Sequence, residues 1–227
     1  MTAPAYGASF ADWRAAAPAW EAYVRHPFVE RLRRGDLPRA AFLRYLKQDY
    51  VFLVHFSRAW GLAVVKSETL DEMRTAASVV DALVNHEMRL HVETCAREGV
   101  AEAALFETEE AAETLAYTRY VLDAGFSGDF LDLMAALAPC VLGYGEIGAR
   151  LAAETGPDAP YAEWIATYGG EEYQSLCRTV GAMVDAAVAA RLGGRAEQTP
   201  RWTTLRRRFA QATALEVGFW EMGLRAE

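Results

Sequence analysis

The stretch FLDLMAALAPCVLGYGEIG, residues 130–148, is the most apolar region of the chain, and it carries a lone thiol, Cys140. Tyr144 follows the thiol by one helical turn, on the same face. Two other apolar segments each carry a carboxylate: Asp49 in FLRYLKQDYVFLVHF and Glu216 in LEVGFWEMG. Burying a carboxylate is costly unless another group pairs with it. These polar groups in amphipathic segments therefore predict one shared internal site.

Apolar residues recur at helical spacing along nearly the whole chain, and no alternating strand pattern with hairpin turns is present. This pattern predicts an all-α bundle with a cavity between facing helices. The connections are short and none resembles a Pro/Ser-rich linker, so residues 1–227 are predicted to form a single domain. The first predicted helix spans about 9–25 and continues after His26-Pro27 to Gly35. Ser127 is the predicted cap of a helix over 127–155, and Thr199-Pro200 opens the final helix. The other predicted helices are Pro38–Lys66, 71–98, 108–124, 161–168 and 171–192.

The bulk composition excludes several classes of partner. The chain has 227 residues, 52% of them hydrophobic, and a formal net charge of −8, which opposes binding to nucleic acid and to anionic membrane surfaces. The longest uncharged stretch of the apolar region, Leu133–Gly145, is shorter than the roughly 20 residues of a spanning helix. The N-terminus shows no secretory pattern and the three cysteines fit no disulfide framework, so we expect a cytoplasmic protein.

Each candidate residue also has a purely structural interpretation. Cys140 could be a nucleophile if its thiolate is stabilised, or a small core residue; Cys95 and Cys177 have no comparable setting and are predicted to be structural. Asp49 could bind the edge of an aminopyrimidine, where a ring nitrogen and an amine lie side by side, or bond to a neighbouring tyrosine. Glu216 lies on an apolar face and is a candidate for proton transfer.

Other aromatic and histidine residues leave further alternatives open. The tyrosines of the chain could form a slot for a planar ring or could serve only packing. Glu87 and His91 are four residues apart and could flank a metal ion, or they could form a surface or packing pair. All the histidines fall in the first 91 residues, and a di-iron bundle draws ligands from later helices as well. We therefore predict no metal and no cofactor.

Six segments, in order, resemble the TenA family of thiaminase II proteins, and the resemblance spans nearly the whole chain. The most specific combination is QDY, PCxxxYxEIG and the late ExxFWxM. The matching segments are HPFVERLRRGDL, FLRYLKQDYVFL, AYTRYVL, LAPCVLGYGEIG, EWIATYGGEEY and LEVGFWEMG.

The resemblance implies a haem-oxygenase-like helical fold, a homotetramer, and hydrolysis of a small aminopyrimidine in thiamin salvage. It also implies roles for single residues: Cys140 as the nucleophile, Glu216 as the acid/base, and Asp49 as the carboxylate that holds the aminopyrimidine. Many members have a tyrosine three residues after that aspartate, where this chain has Phe52, a departure that bears on activation of the thiol. The residues implied to line the pocket are Phe52, Tyr117, Tyr144 and Tyr168.

The leading hypothesis is therefore a cysteine-dependent hydrolase that converts 4-amino-5-aminomethyl-2-methylpyrimidine to the 5-hydroxymethyl compound, with thiamin as a further candidate substrate. The main alternative is a non-catalytic pyrimidine-binding or regulatory protein with the same pocket. A haem or di-iron oxygenase that uses His26 or the Glu87/His91 pair is a third class.

Overall fold

A computed structural model describes residues 4–225, and no β-strand occurs in that part of the chain, which confirms the all-α prediction. A π-helical turn at Leu83–Glu87 joins two of the helices, and a short 3₁₀ turn, Ala196–Gln198, lies before the last one. The α-helices are α1 (Ala8–Ala16), α2 (Trp20–Val24), α3 (Pro27–Arg34), α4 (Arg39–Lys66), α5 (Leu70–Ala82), α6 (Met88–Arg97), α7 (Glu102–Phe106), α8 (Ala112–Ser127), α9 (Phe130–Glu154), α10 (Ala162–Gly169), α11 (Glu171–Leu192) and α12 (Pro200–Leu224).

The chain divides into two compact units. Unit 1 contains the chain up to Leu37 and the segment Met134–Val217; unit 2 contains Pro38–Leu133 and the chain from Gly218 onward. The units are interleaved along the sequence, and the predicted single domain stays a prediction.

Several predicted helix boundaries are confirmed. Pro38 caps α4, which ends at Lys66, and α11 has the predicted bounds. Gly35 ends α3 with φ 77°, a conformation that only glycine adopts at low cost. The hydroxyl of Thr199 accepts the backbone N–H of Trp202 at 3.2 Å, as expected for the cap of the last helix.

Other predicted boundaries are wrong, and each has a local cause. The first predicted helix is divided before Pro18, because the residue preceding a proline avoids the helical conformation; Ala17 is extended. Ser127 ends α8 instead of capping α9. The cap of α9 is Asp129, whose carboxylate accepts the N–H of Asp132 at 3.1 Å, while Asp132 accepts the N–H of Asp129 at 3.0 Å.

The predicted helix 108–124 is also wrong at its start, since the structure has α7 and then a break before α8 begins at Ala112. The start of α8 depends on Gln48 of α4. The Gln48 side chain accepts hydrogen bonds from the Ala111 N–H at 2.9 Å and the Thr114 hydroxyl at 2.7 Å, and it donates to the Glu109 carbonyl at 2.8 Å. This long-range cap replaces a local one, which explains why the sequence near residue 111 does not show it.

Unit 1 has an aromatic core formed by α1, α2 and α12. The ring of Phe209 stacks on Trp20 with centroids 5.6 Å apart, and it lies 6.0 Å from the rings of Phe10 and Trp13. Asp12 on the same helix as Phe10 accepts a hydrogen bond from the indole of Trp202 at 2.8 Å. Burial of these large rings is the main stabilising contribution in this part of unit 1.

The start of α1 is fixed against α11. The carboxylate of Asp185 accepts the N–H groups of Ala8 and Ser9, each at 2.8 Å, and so satisfies two donors that a helix N-terminus leaves open. Next to this contact, a β-carbon placed on Gly181 would lie 1.8 Å from the carbonyl oxygen of Tyr6. Only glycine allows the chain to cross α11 so closely.

Glycines also let neighbouring groups reach α9. A β-carbon on Gly143 would lie 2.4 Å from the ring of Tyr23, and one on Gly148 would lie 2.3 Å from the carbonyl carbon of Tyr168. These positions belong to the segment around the lone thiol. Close packing at both glycines therefore fixes where α9 presents its side chains within unit 1.

In the described part of the chain, α9 has the length and apolar composition of a membrane-crossing helix. Its most apolar window is 94% buried inside the structure. Core helices of this kind satisfy the same criterion, so the finding is weak evidence for a membrane span.

Gly148→Ala is expected to destabilise the protein by about 1–3 kcal/mol, because the added methyl group meets the backbone of Tyr168, which cannot rotate away. Gly61→Ala is the matched control, since Gly61 is within α4 and nothing lies within 4 Å of the position that the new methyl group would take. That variant is expected to gain about 0.5–1 kcal/mol from helix propensity. Urea unfolding of both variants measures the difference, and changes of the same sign would contradict the packing argument.

Candidate active site

Cys140 lies in the middle of α9, directly after a proline. Pro139 has no N–H for the helix ladder, and its own carbonyl accepts a hydrogen bond from the hydroxyl of Tyr23 at 3.1 Å. The carbonyl of Val141, on the other side of the thiol, accepts from the hydroxyl of Tyr173 at 3.1 Å. Bonds from two other helices therefore fix the backbone on both sides of the thiol. The residue is 9% exposed.

Two of the predicted aromatic residues meet in unit 1. Tyr144 is one turn after the thiol on α9, and its ring lies 5.0 Å from that of Tyr168 on α10 in an edge-to-face arrangement. Trp164 completes the group, with centroids 6.0 Å from Tyr144 and 4.5 Å from Tyr168. Offset and tilted geometries of this kind are the favoured ones for aromatic pairs.

Glu216, the second predicted catalytic residue, lies on α12 and is 1% exposed. Ala212 and Phe209, one and two turns earlier on that helix, are both fully buried. The side chain therefore belongs to an apolar helix face, as the sequence indicated. Its role in proton transfer stays a prediction.

Asp49 is the best-defined polar group of the candidate site. It lies on α4 in unit 2 and is 3% exposed. Its Oδ2 accepts a hydrogen bond from the hydroxyl of Tyr45 at 2.9 Å and lies 2.6 Å from Nε2 of His91. Both of these contacts, in the described part of the chain, are made through Oδ2 and not through Oδ1.

His91 was missed as a site residue; the sequence left it with Glu87 as a surface or packing pair or as a pair that flanks a metal ion, and its burial excludes the surface alternative. The imidazole is completely buried on α6, and its Nδ1 lies 2.9 Å from the backbone carbonyl of Glu87. Burial lowers the pKa of His91, but the hydrogen bond and charge of Asp49, together with Glu87, outweigh burial and raise it overall. The buried His91 and Cys95 are four residues apart on α6, and this spacing was the available signal.

Phe52 and Tyr117 extend the surroundings of Asp49. The ring of Phe52 lies 4.9 Å from that of Tyr117 on α8 and 5.4 Å from that of Phe219, while Phe219 also contacts Tyr45 edge-to-face at 6.1 Å. We call this group in unit 2 the Asp49 cluster, which consists of Tyr45, Asp49, Phe52, His91, Tyr117 and Phe219. A polar acceptor beside several rings is suited to a planar heterocycle with an amino group.

The structure thus brings the predicted residues together in two groups. Asp49, Phe52 and Tyr117 belong to the Asp49 cluster in unit 2; Tyr144 and Tyr168 are in contact in unit 1, where Cys140 and Glu216 also lie. Their convergence on one ligand stays a prediction.

Cys95 and Cys177 lie in packed surroundings. Cys177 donates a long hydrogen bond, 3.4 Å, to the carbonyl of Val141, and burial raises the pKa of Cys95. The three cysteines are buried and none forms a disulfide. Among residues 4–225, no group of three or more His, Cys, Asp or Glu side chains is placed to hold a metal ion.

The motif residue Glu146 contributes to packing in unit 1. Its carboxylate lies 3.0 Å from Nε of Arg14 and accepts a hydrogen bond from the indole of Trp20 at 3.4 Å. Burial raises its pKa, and the charge of Arg14 opposes that rise. This glutamate therefore ties α9 to α1 and α2.

The sequence and the fold of the chain are both similar to those of one protein family. The sequence profile of the TENA/THI-4/PQQC family matches residues 13–226. The crystal structure of a TenA family transcription regulator from Silicibacter sp. TM1040 is 59% identical, with a TM-score of 0.94 over 96% of this chain and 97% of that chain.

Two similar proteins are named aminopyrimidine aminohydrolase. The one from Halalkalibacterium halodurans is 36% identical over 209 residues, which are 91% of this chain and 91% of that protein. The one from Bacillus subtilis is 29% identical over 215 residues, 94% of this chain and 88% of that protein.

The free energy of unfolding should contain a component from His91 that decreases as the pH rises. The folded protein has the higher His91 pKa, so this stabilisation is complete below the unfolded value of about 6.5 and is lost as the pH passes the folded value. One proton accounts for a slope of at most about 1.4 kcal/mol per pH unit. Urea unfolding of wild type and His91→Gln from about pH 6 to about pH 9 isolates this component. Parallel curves for the two proteins would contradict it.

Proposed function

The chain belongs to the TENA/THI-4/PQQC family, and from this premise we propose that it is a hydrolase of thiamin salvage with an aminopyrimidine as substrate. The proposed reaction converts 4-amino-5-aminomethyl-2-methylpyrimidine and water to the 5-hydroxymethyl compound and ammonia; thiamin, with a thiazole leaving group, is a second substrate. The names of the relatives from H. halodurans and B. subtilis support this class of reaction.

The arrangement of Asp49 is the observation that carries the proposal. Two donors, Tyr45 and His91, occupy Oδ2. Oδ1 is then an acceptor for the exocyclic amine of a pyrimidine, and the rings of Phe52 and Tyr117 are close to one another in the same cluster. A buried acceptor beside apolar rings favours a flat ligand that presents N–H donors along one edge.

In the proposed mechanism, the thiolate of Cys140 adds to an electron-poor carbon of the pyrimidine ring, and the electron pair moves to a ring nitrogen. The amine of the aminomethyl substrate then departs from the exocyclic methylene as ammonia with a proton supplied by Glu216, whereas the thiazole of thiamin departs as a neutral base without one. Water adds at the methylene and returns a proton to Glu216, and elimination of the thiolate restores the aromatic ring. Covalent catalysis of this kind divides one difficult displacement into easier steps.

Phe52 bears on how fast the thiol reacts. Its ring lies 5.1 Å from Phe56 in a stacked arrangement and contacts Tyr117 and Phe219, so aromatic rings surround it. Where many family members have a tyrosine hydroxyl, this chain has only carbon atoms. We expect other groups to promote formation of the Cys140 thiolate, and we expect the hydrolysis to be slower than in tyrosine-containing members.

A non-catalytic regulator is the alternative that the name of the Silicibacter neighbour suggests. A net charge of −8 opposes the phosphate contacts on which DNA binding depends. The aminohydrolase names of the full-length relatives favour the hydrolase.

We also propose that the enzyme is a cytoplasmic homotetramer. Large apolar side chains are exposed in unit 2, among them Val65 at 78%, Phe106 at 72% and Phe126 at 72%. Contiguous apolar patches are typical of surfaces that become buried on association, and these side chains are the candidates for such a patch. Light scattering after gel filtration should give four times the mass of the chain, and a monomer would contradict the proposal.

Purified protein should release hydroxymethylpyrimidine from the aminomethyl substrate, and Cys140→Ala should lower kcat by at least about 10³-fold, since the covalent route is lost. Cys95→Ala is the matched control, because it removes a buried thiol outside the proposed machinery and should keep kcat within about twofold. Liquid chromatography of the products gives the rates, and circular dichroism verifies the fold. Folded wild-type protein without product from either substrate would contradict the proposed function.

A further inference from the structure

His91 has an unusual setting for a buried histidine, because both ring nitrogens face acceptors. Nδ1 lies 2.9 Å from the carbonyl oxygen of Glu87, which can only accept a hydrogen bond. Nε2 lies 2.6 Å from Oδ2 of Asp49, a carboxylate oxygen that also accepts the hydroxyl of Tyr45. Since Nδ1 must carry a hydrogen atom, the remaining question is which partner holds the proton between Nε2 and Oδ2.

The geometry assigns that proton to the imidazole. The Tyr45 hydroxyl donates to the same Oδ2 and stabilises negative charge on it. The charged groups near the ring are the carboxylates of Asp49 and Glu87, and both favour an imidazolium. The pair is therefore a buried imidazolium and a carboxylate joined by a charge-assisted hydrogen bond.

The helix before His91 fixes the direction of the ring. The π-helical turn Leu83–Glu87 comes immediately before α6, and Glu87, its last residue, provides the carbonyl that holds Nδ1. A π turn inserts one residue into the helix and rotates the residues that follow; such turns are frequent at functional sites. Here it directs His91 toward α4, where Asp49 lies.

We propose that His91 is a positioning residue for substrate: as a donor to Oδ2 it orients the Asp49 carboxylate, so that Oδ1 accepts from the amino group of the aminopyrimidine. This inference rests on the proposed function and adds a residue to it. His91 does not touch the ligand. It acts by occupying Oδ2 with a charge-assisted hydrogen bond, which fixes the direction of Oδ1.

A positioning role for His91 predicts a particular change in the kinetic constants. Asp49 holds the same ring in the ground state and in the transition state, so weakening it should raise KM while kcat changes little. A histidine that only supported the fold would instead lower stability or the fraction of active protein and leave KM unchanged. The split between KM and kcat therefore separates positioning from packing.

Two substitutions at His91 separate its contact with Asp49 from its contact with the Glu87 carbonyl. His91→Gln keeps a neutral donor that reaches Asp49 but removes the charge, and it should raise KM about 10-fold with kcat within about threefold. His91→Asn keeps a donor to the Glu87 carbonyl but is too short to reach Asp49, and it should raise KM further, toward about 100-fold. Tyr45→Phe removes only the neutral donor to Oδ2 and should have a smaller effect than either.

His86→Gln is the matched control, since it makes the same chemical change on an exposed turn of the same helical segment and should leave KM and kcat as in wild type. The dissociation constants of the His91 variants for hydroxymethylpyrimidine, measured by calorimetry, should rise in parallel with KM. If both His91 variants fold and have the kcat and KM of the wild-type protein, the inference is overturned and the proposed function stays intact. A wild-type protein that neither turns over nor binds any aminopyrimidine would overturn both.

A measurement on the unmodified enzyme does not depend on the variants folding. The chain has four histidines, so ¹⁵N-histidine labelling gives a simple spectrum, and the His91 signal is the one that persists when each of the other three histidines is replaced in turn. Both ring nitrogens of His91 should be protonated at about pH 8, where a free histidine is neutral. A neutral imidazole at that pH, with an unprotonated Nε2, would overturn the inference.

Discussion

The carboxylate of Asp49 imposes the strongest constraint in the candidate site, because a charge that is 3% exposed needs donors in place of water. Tyr45 provides one from the preceding turn of α4, and His91 provides the other from α6. The second donor requires the π turn before α6 and the packing of α6 on α4. The placement of these helices in unit 2 therefore follows from the pairing of a single buried charge.

Part of this arrangement follows from the sequence and part does not. Helical spacing, Pro38 and Gly35 predict α4 and the end of α3, and the apolar neighbours of Asp49 predict its burial. The partner His91 is 42 residues away, and the π turn between them interrupts the regular spacing that would have shown which face is buried. The caps of α8 and α1 come from distant side chains, so no local pattern reveals them.

Several residues of the motif around the thiol pack against neighbouring helices. Gly143 and Gly148 admit neighbouring groups to α9, and Glu146 joins that helix to α1 and α2 through Arg14 and Trp20. These residues set the position of the backbone that carries Cys140 and Tyr144. A motif such as PCVLGYGEIG is thus largely a set of spacing requirements around one thiol.

The central claim is that Cys140, Glu216 and Asp49 act on one small heterocycle, and a crystal structure of the inactive Cys140→Ser variant with the aminomethyl substrate tests it most directly. The account predicts the exocyclic amine within hydrogen-bond distance of Oδ1 of Asp49, the ring between aromatic side chains, and the residue-140 oxygen against a ring carbon. A substrate bound elsewhere, or a residue 140 directed away from the ring, would contradict the account.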